Sequence, residues 1–293
     1  MTLTERIESR KIMILDGATG SQLIARGLSA GECPELWNVS HPDRIKDVAA
    51  SYFAAGSDAV LTNTFGGSLL KLKAYNLDSR AYELNFEGAR NAISVKPEGK
   101  FVVGSIGPSG LMLEPFGDIS YQEMTDSFAV QVKAMKEAGV DGFMLETFTD
   151  LDELQCAVSA VKENSDLPFF ASMTFSNTPD GHKTMMGVGV KDFVEAMQSA
   201  GALLVGSNCG NGILKMVELA KEFRSVSAAA YLLLKANAGE PHLHDGELCY
   251  SESPEMFSVN LTELLKLSPS AVGGCCGTTP EHIRMIKQII ISH

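Results

Sequence analysis

The stretch Ala271-Val272-Gly273-Gly274-Cys275-Cys276-Gly277-Thr278-Thr279-Pro280-Glu281-His282-Ile283 reads as a short buried strand, a polar turn and the first turn of a helix. Its apolar run ends in glycines and thiols, and Pro280 stands where a helix accepts a residue without an N–H. The same unit recurs up the chain. Apolar runs that end in polar or small residues lie at Ile12 to Asp16, Ala59 to Asn63, Phe101 to Ile106, Gly142 to Glu146, Phe169 to Thr174, Leu203 to Asn208 and Tyr231 to Asn237. Between them, apolar positions recur at three and four, as in Ile45, Val48, Ala49, Tyr52 and Phe53, or Phe128, Val132, Met135 and Ala138. That spacing is helical. Thr149 or Asp150 is placed to cap the helix that opens Leu-Asp-Glu-Leu. Eight strand and helix units at intervals of roughly 30 to 45 residues predict an α/β chain closed into a single (β/α)8 TIM barrel. A doubly wound sheet alternates in the same way, but no nucleotide fingerprint follows any run. With no low-complexity linker and no break in composition, residues 1–293 are expected to form one domain, with longer loops at 26–41, 108–121 and 238–256 at one end.

A formal net charge of -12, with no Lys/Arg-rich run, argues against nucleic acid and anionic membrane as partners. The longest apolar runs fall short of the about 18 residues that a membrane helix needs. The opening Met-Thr-Leu-Thr-Glu-Arg-Ile-Glu-Ser-Arg has no apolar segment of signal-peptide length. Six cysteines scattered over a chain of this size do not make a secreted disulfide framework. The expected setting is the cytoplasm, with reduced thiols.

A (β/α)8 barrel carries its active site at the C-terminal ends of its strands. The residues that close these runs are Asp16-Gly17-Ala18-Thr19-Gly20, Thr62-Asn63-Thr64, Glu146-Thr147, Asn208-Cys209, Asn237-Ala238-Gly239 and Cys275-Cys276. Two carboxylates and three thiols would then face one cavity. Cys209, Cys275 and Cys276 suit zinc (Zn2+) with one coordination position open, where an incoming thiol can lose its proton and become a nucleophile. Gly274 and Gly277 flank the doublet as backbone permissive enough to turn both side chains to one centre. Two other readings of the same residues are small buried hydrophobes and a vicinal disulfide. Cys33, Cys156 and Cys249 lack such settings and read as structural. His182, His242 and His244 fall in expected loops, and one of them is a candidate fourth ligand. The Asp16 to Gly20 turn has neither P-loop nor dinucleotide spacing. Read as a tight strand-to-helix turn it needs no ligand; read functionally, its amides form a nest for a carboxylate, and Asp16 with Glu146 a seat for an ammonium. That pairing describes a receptor for an α-amino acid.

Seven motifs follow in order: Leu15-Asp16-Gly17-Ala18-Thr19-Gly20, Cys33-Pro34-Glu35-Leu36-Trp37-Asn38, Leu61-Thr62-Asn63-Thr64-Phe65-Gly66, Gly104-Ser105-Ile106-Gly107-Pro108, Leu145-Glu146-Thr147, Asn208-Cys209-Gly210 and Gly273-Gly274-Cys275-Cys276-Gly277-Thr278-Thr279-Pro280-Glu281-His282-Ile283. The series resembles the zinc-dependent homocysteine S-methyltransferases over nearly the whole chain, and most of all the homocysteine-binding module of cobalamin-dependent methionine synthase. The resemblance implies a (β/α)8 barrel that methylates the thiol of homocysteine to give methionine. It implies Cys209, Cys275 and Cys276 as zinc ligands, Asp16 and Glu146 on the substrate ammonium, and the amides of Gly17, Ala18 and Thr19 on its carboxylate. Thr64 and Asn237 are implied as pocket residues. Asn237-Ala238-Gly239-Glu240-Pro241, Asp245-Gly246 and Tyr250 to Glu255 point within the family to the methionine synthase module. The folate and corrinoid domains of that enzyme have no counterpart in these motifs. The methyl donor is therefore expected to be a methylcorrinoid, free or on a separate corrinoid protein. S-methylmethionine, S-adenosylmethionine and betaine are the alternative donors, and a homocysteine- or zinc-binding sensor is the alternative to an enzyme. Ser207 and Asn211 depart from the family pattern beside Cys209 and leave the thiols in place.

Overall fold

The computed structural model describes residues 1–244 and 247–292, apart from the side chains of Leu243, His244, Glu247 and Leu248. Eight parallel strands form its central sheet: β1 (Met13–Ile14), β2 (Ala59–Leu61), β3 (Phe101–Ile106), β4 (Gly142–Phe148), β5 (Phe169–Met173), β6 (Leu204–Gly212), β7 (Leu232–Asn237) and β8 (Ala271–Gly274). From β2 to β8 each pairs with the next in sequence, and β8 returns to β1, with Met13 opposite Ala271 and Ile14 opposite Val272. The expected TIM barrel is the observed fold. Its last seam, between β1 and β2, is closed by single contacts in place of a ladder. The Asp58 backbone N–H donates to the Ile14 carbonyl at 2.6 Å, and its carboxylate accepts the Ile14 N–H at 3.1 Å. Arg6 and Lys100 both reach Asp58 at 2.8 Å. Such short strands exchange too few backbone bonds to close the barrel alone, and the charged cluster completes the seam.

Side chains alternate in and out along each strand. Met13, Leu15, Ala59, Phe101, Val103, Met144, Phe170, Leu204, Leu233 and Ala271 pack together inside the barrel, so its lower half is a filled core. Leu3 and Ile7 of the N-terminal helix Leu3–Glu8 join that cluster and cover the N-terminal ends of the strands. The opposite residues pack outward under the helical ring. Asp150 caps the helix Leu151–Asn164 through a 2.9 Å bond from the Asp152 N–H, and Pro280 opens the helix Pro280–Ser292.

Two differences from the sequence reading are local. The loop after β5 is a hairpin, Ser176–Thr178 with Gly181–Lys183, and the loop after β7 carries a second, Pro241–His244 with Glu247–Tyr250. The first had a signal in Thr178-Pro179-Asp180-Gly181, a run of residues that favours a tight turn. The second had one too, in the dipeptide Asp245-Gly246 of the sequence, which favours a two-residue hairpin turn. Among the described residues, no helix is long and apolar enough to cross a membrane.

Candidate active site

Cys209 reaches the site because β6 departs from regular strand geometry. Pairing of β6 with β7 slips between Asn208 and Gly212, and Cys209 takes a left-handed conformation at φ 62°, a region that residues with a Cβ seldom occupy. Bulges of this kind re-aim a side chain. Strand β4, separated from β6 only by β5, does the same, where pairing slips between Leu145 and Phe148 and Thr147 sits at φ 66°. Asn208 ties the two distortions together. Its side-chain Oδ1 accepts the Thr147 N–H at 2.9 Å and the Ser172 hydroxyl at 2.7 Å, and its Nδ2 donates to Thr147 Oγ1 at 2.7 Å and to Cys275 Sγ at 3.6 Å.

The other two thiols come from the turn after β8. At Gly277 φ is +78°, and a Cβ would collide with the Tyr250 ring; a Cβ at Gly274 would meet the Thr278 side chain. Both glycines therefore let the doublet pass between packed neighbours. The turn is fastened on two sides. Cys275 donates its N–H to the Ala236 carbonyl at 2.7 Å, and the Cys276 carbonyl accepts from Ala238 at 3.0 Å. Thr278 Oγ1 donates to the Cys275 carbonyl at 2.7 Å and accepts the Ala18 N–H at 3.1 Å.

The three sulfurs lie within 4.8 Å of one another, and Cys209 and Cys276 are 3.6 Å apart. No thiol of the chain is in a disulfide, so the vicinal pairing of Cys275 with Cys276 is not formed. Zinc–sulfur bonds of about 2.3 Å at tetrahedral angles place ligand sulfurs about 3.8 Å apart, and the cluster is of that size. Asn237 Oδ1 is buried with no partner among the described residues, at the end of the neighbouring β7. The sulfurs share protons unevenly. Donation from Cys209 and Cys275, and then from the Tyr250 hydroxyl, pulls Cys276 down to about 3, against burial. Hydrogen bonding to Cys275 and Cys276 pushes Cys209 up. His182 is held by Glu222 at 2.6 Å and His242 is exposed on its hairpin; the His244 side chain lies outside the described residues.

The thiols open on a cavity of about 250 Å³ lined by the Gly17 to Ser21 turn, Pro34, Glu35, Thr62, Asn63, Phe65, Ser105, Glu146, Thr147 and Lys235. Glu146 Oε1 accepts the Ser105 hydroxyl at 2.5 Å. Burial pushes its carboxyl up to about 7, against the pull of Lys235. Glu35 is fixed in the wall by the Gly66 N–H at 2.7 Å and the Cys33 thiol at 3.2 Å; burial, then the Glu35 charge, pushes Cys33 up to about 12.

The remaining residues singled out from sequence are near but placed otherwise. Asp16 is 1% exposed and is not part of the cavity wall. Its Oδ2 accepts the Leu61 N–H at 2.7 Å and its Oδ1 meets the Lys235 ammonium at 2.8 Å. The ammonium beside Asp16 is the protein's own. Ala18 has donated its amide to Thr278, whereas the Gly17 and Thr19 amides have no protein acceptor among the described residues. Thr64 is fully buried behind the wall, donating to the Ser105 carbonyl at 2.8 Å. Lys235, Asn208, Ser105 and Tyr250 were not assigned roles from sequence. Lys235 had a signal, a lysine inside Leu232-Leu233-Leu234-Lys235-Ala236; the rest are ordinary polar residues until the fold brings them together.

The family model described as homocysteine S-methyltransferase matches residues 13–290, and the chain belongs to that family. It is 31% identical to methionine synthase of Mycobacterium tuberculosis over 302 residues, covering 96% of this chain and 25% of the relative. Against methionine synthase of Mycobacterium leprae the identity is 30% over 300 residues, covering 96% and 24%. The chain thus spans about a quarter of the length of these relatives. Its fold is similar to the homocysteine methyltransferase MmuM from Escherichia coli. The metallated form superposes with a TM-score of 0.80 at 20% identity over 97% of this chain and 98% of the other. The oxidized form gives 0.78 at 21% identity over 97% of each.

Proposed function

We propose that this member of the homocysteine S-methyltransferase family moves a methyl group onto the thiol of homocysteine, giving methionine, with zinc held by Cys209, Cys275 and Cys276. The observation that carries the reading is the convergence of three thiols, from the ends of β6 and β8, on the same cavity as Glu146. Zinc, when bound, acidifies a ligating thiol while leaving its sulfur nucleophilic. The chain's own residues supply position. Asn208, braced by Ser172 and Thr147, holds Cys275, and the Tyr250 hydroxyl favours the charged form of Cys276. Glu146 receives the substrate ammonium, and the Gly17 and Thr19 amides its carboxylate. Thr64 and Asn237 act from behind the wall, and Asp16 acts through Lys235. Fixing both ends of the amino acid keeps its sulfur at the thiol cluster, which turns an encounter into a near-unimolecular displacement.

The pH dependence of binding tests the ammonium seat. A bound ammonium favours the Glu146 carboxylate, so below about 7 binding must expel its proton. The ratio of wild-type to Glu146→Gln affinity for homocysteine is expected to rise with pH and level off above about 7; calorimetric titration at several pH values reads it. Taking the ratio cancels proton release from the substrate thiol. A ratio that is flat across the range would remove Glu146 from that seat.

The donor we propose is a methylcorrinoid, free or on a separate corrinoid protein. Support comes from the likeness of residues 237–255 to the methionine synthase module, of which Asp245 and Gly246 lie outside the described residues, and from the similarity to the mycobacterial methionine synthases. Exposed Met112, Phe116 and Met185 stand on loops after β3 and β5, on the face where the cavity opens, and suit a macromolecular donor. Zinc-loaded protein with homocysteine is expected to form methionine from methylcobalamin well above background. Turnover with S-methylmethionine, S-adenosylmethionine or betaine, and none with methylcobalamin, would refute the corrinoid donor. Homocysteine binding with no turnover from any donor would point to a sensor or to an absent donor protein.

A further inference from the structure

The cavity presents a cation as well as an anion. Lys235 lines it, whereas its partner Asp16 does not. The Lys235 ammonium has three donors and a single described acceptor, Asp16 Oδ1 at 2.8 Å. Both side chains are only 2% exposed, so water does little to satisfy the other two N–H bonds. Burial works against its charge, but Asp16, Glu146 and Cys275 outweigh that and hold Lys235 above the usual lysine range. It is an ammonium at neutral pH. Lys235 lines the same cavity as Gly17 and Thr19, whose amides lack protein acceptors among the described residues.

We infer that Lys235 completes the carboxylate seat of the acceptor pocket, so the site selects thiols that carry an ammonium and a carboxylate together. Three groups then read three parts of one molecule: Glu146 the ammonium, Lys235 with the Gly17 and Thr19 amides the carboxylate, and the cysteine cluster the sulfur. Asp16 positions the lysine and turns it toward the cavity. A thiol without the carboxylate leaves two buried N–H bonds unpaired, and one without the ammonium leaves the buried Glu146 carboxylate without that partner. The inference rests on the homocysteine reading above and narrows its substrate class.

The test compares three thiols on zinc-loaded protein by calorimetry: homocysteine; aminopropanethiol, which is homocysteine without its carboxylate; and sulfanylbutanoate, which is homocysteine without its ammonium. Lys235→Met alone leaves Asp16 buried and unpaired, so the paired variant Asp16→Asn with Lys235→Met is measured too, with zinc content and cooperative unfolding as checks on the fold. In both variants, affinity for homocysteine and sulfanylbutanoate is expected to fall roughly 10- to 100-fold, as for loss of a hydrogen bond to a charged group, while aminopropanethiol binds as before. An equal loss for all three thiols, or no loss for any, would overturn the assignment and leave Lys235 as a partner of Asp16 only. If the wild type binds none of the three, the homocysteine reading itself falls, and this assignment with it.

Discussion

Alanine at Cys209, Cys275 or Cys276 is expected to reduce bound zinc from about one per chain to none, and methionine formation to background. Two thiolates make a poor zinc site, and binding that depends on a folded ligand set falls away when one ligand goes. Cys33→Ala, Cys156→Ala and Cys249→Ala should keep both zinc and activity. Cys33 is occupied in bonding Glu35, Cys156 is buried on a helix of the outer ring, and Cys249 sits on the hairpin that follows β7. Elemental analysis of the purified variants, beside an assay for methionine, checks all six. Full zinc occupancy in any of the first three would exclude that residue as a ligand.

Breaking the buried pair of Asp16 and Lys235 should cost much of the stability. Lys235→Met leaves the Asp16 carboxylate, and Asp16→Asn the Lys235 ammonium, without its 2.8 Å partner in a 2% exposed setting. Each is expected to lose about 3–5 kcal/mol, the usual cost of stranding one member of a buried ion pair. The double variant removes both charges and should recover most of that loss, since the amide oxygen that Asp16→Asn introduces can still accept the Leu61 N–H. Denaturant unfolding of the two single variants and the double gives the coupling directly. A double variant whose loss equals the sum of the singles would show that the charges act independently, contrary to the contact between them.

The sequence alone was enough for the barrel and for the meeting of three thiols at one end of it, and the reasons are local. Strand and helix periodicity is written within each unit, so Phe101–Ile106 and Ala271–Gly274 were legible to the residue, and the C-terminal ends of barrel strands are where Cys209, Cys275 and Cys276 must converge. Glu146 was legible on the same ground. Asp16 was legible as lying at this end of the barrel but not in its part, because its partner Lys235 is 219 positions away in sequence and nothing local ties them. Thr64 and Asn237 came from family likeness, which carries no direction for a side chain. Only tertiary structure decided that Cys209 and Thr147 would take left-handed backbone, since that strain persists only where Asn208 and the neighbouring ladders hold it. It also decided that the seam between β1 and β2 would be closed by side chains, with Asp58 on Ile14 and Asp16 on Leu61. A pattern of residue types reports which side chains reach a common end of the fold; which of them spend their charge on each other, and which face the cavity, depends on distances that exist only once the chain has closed.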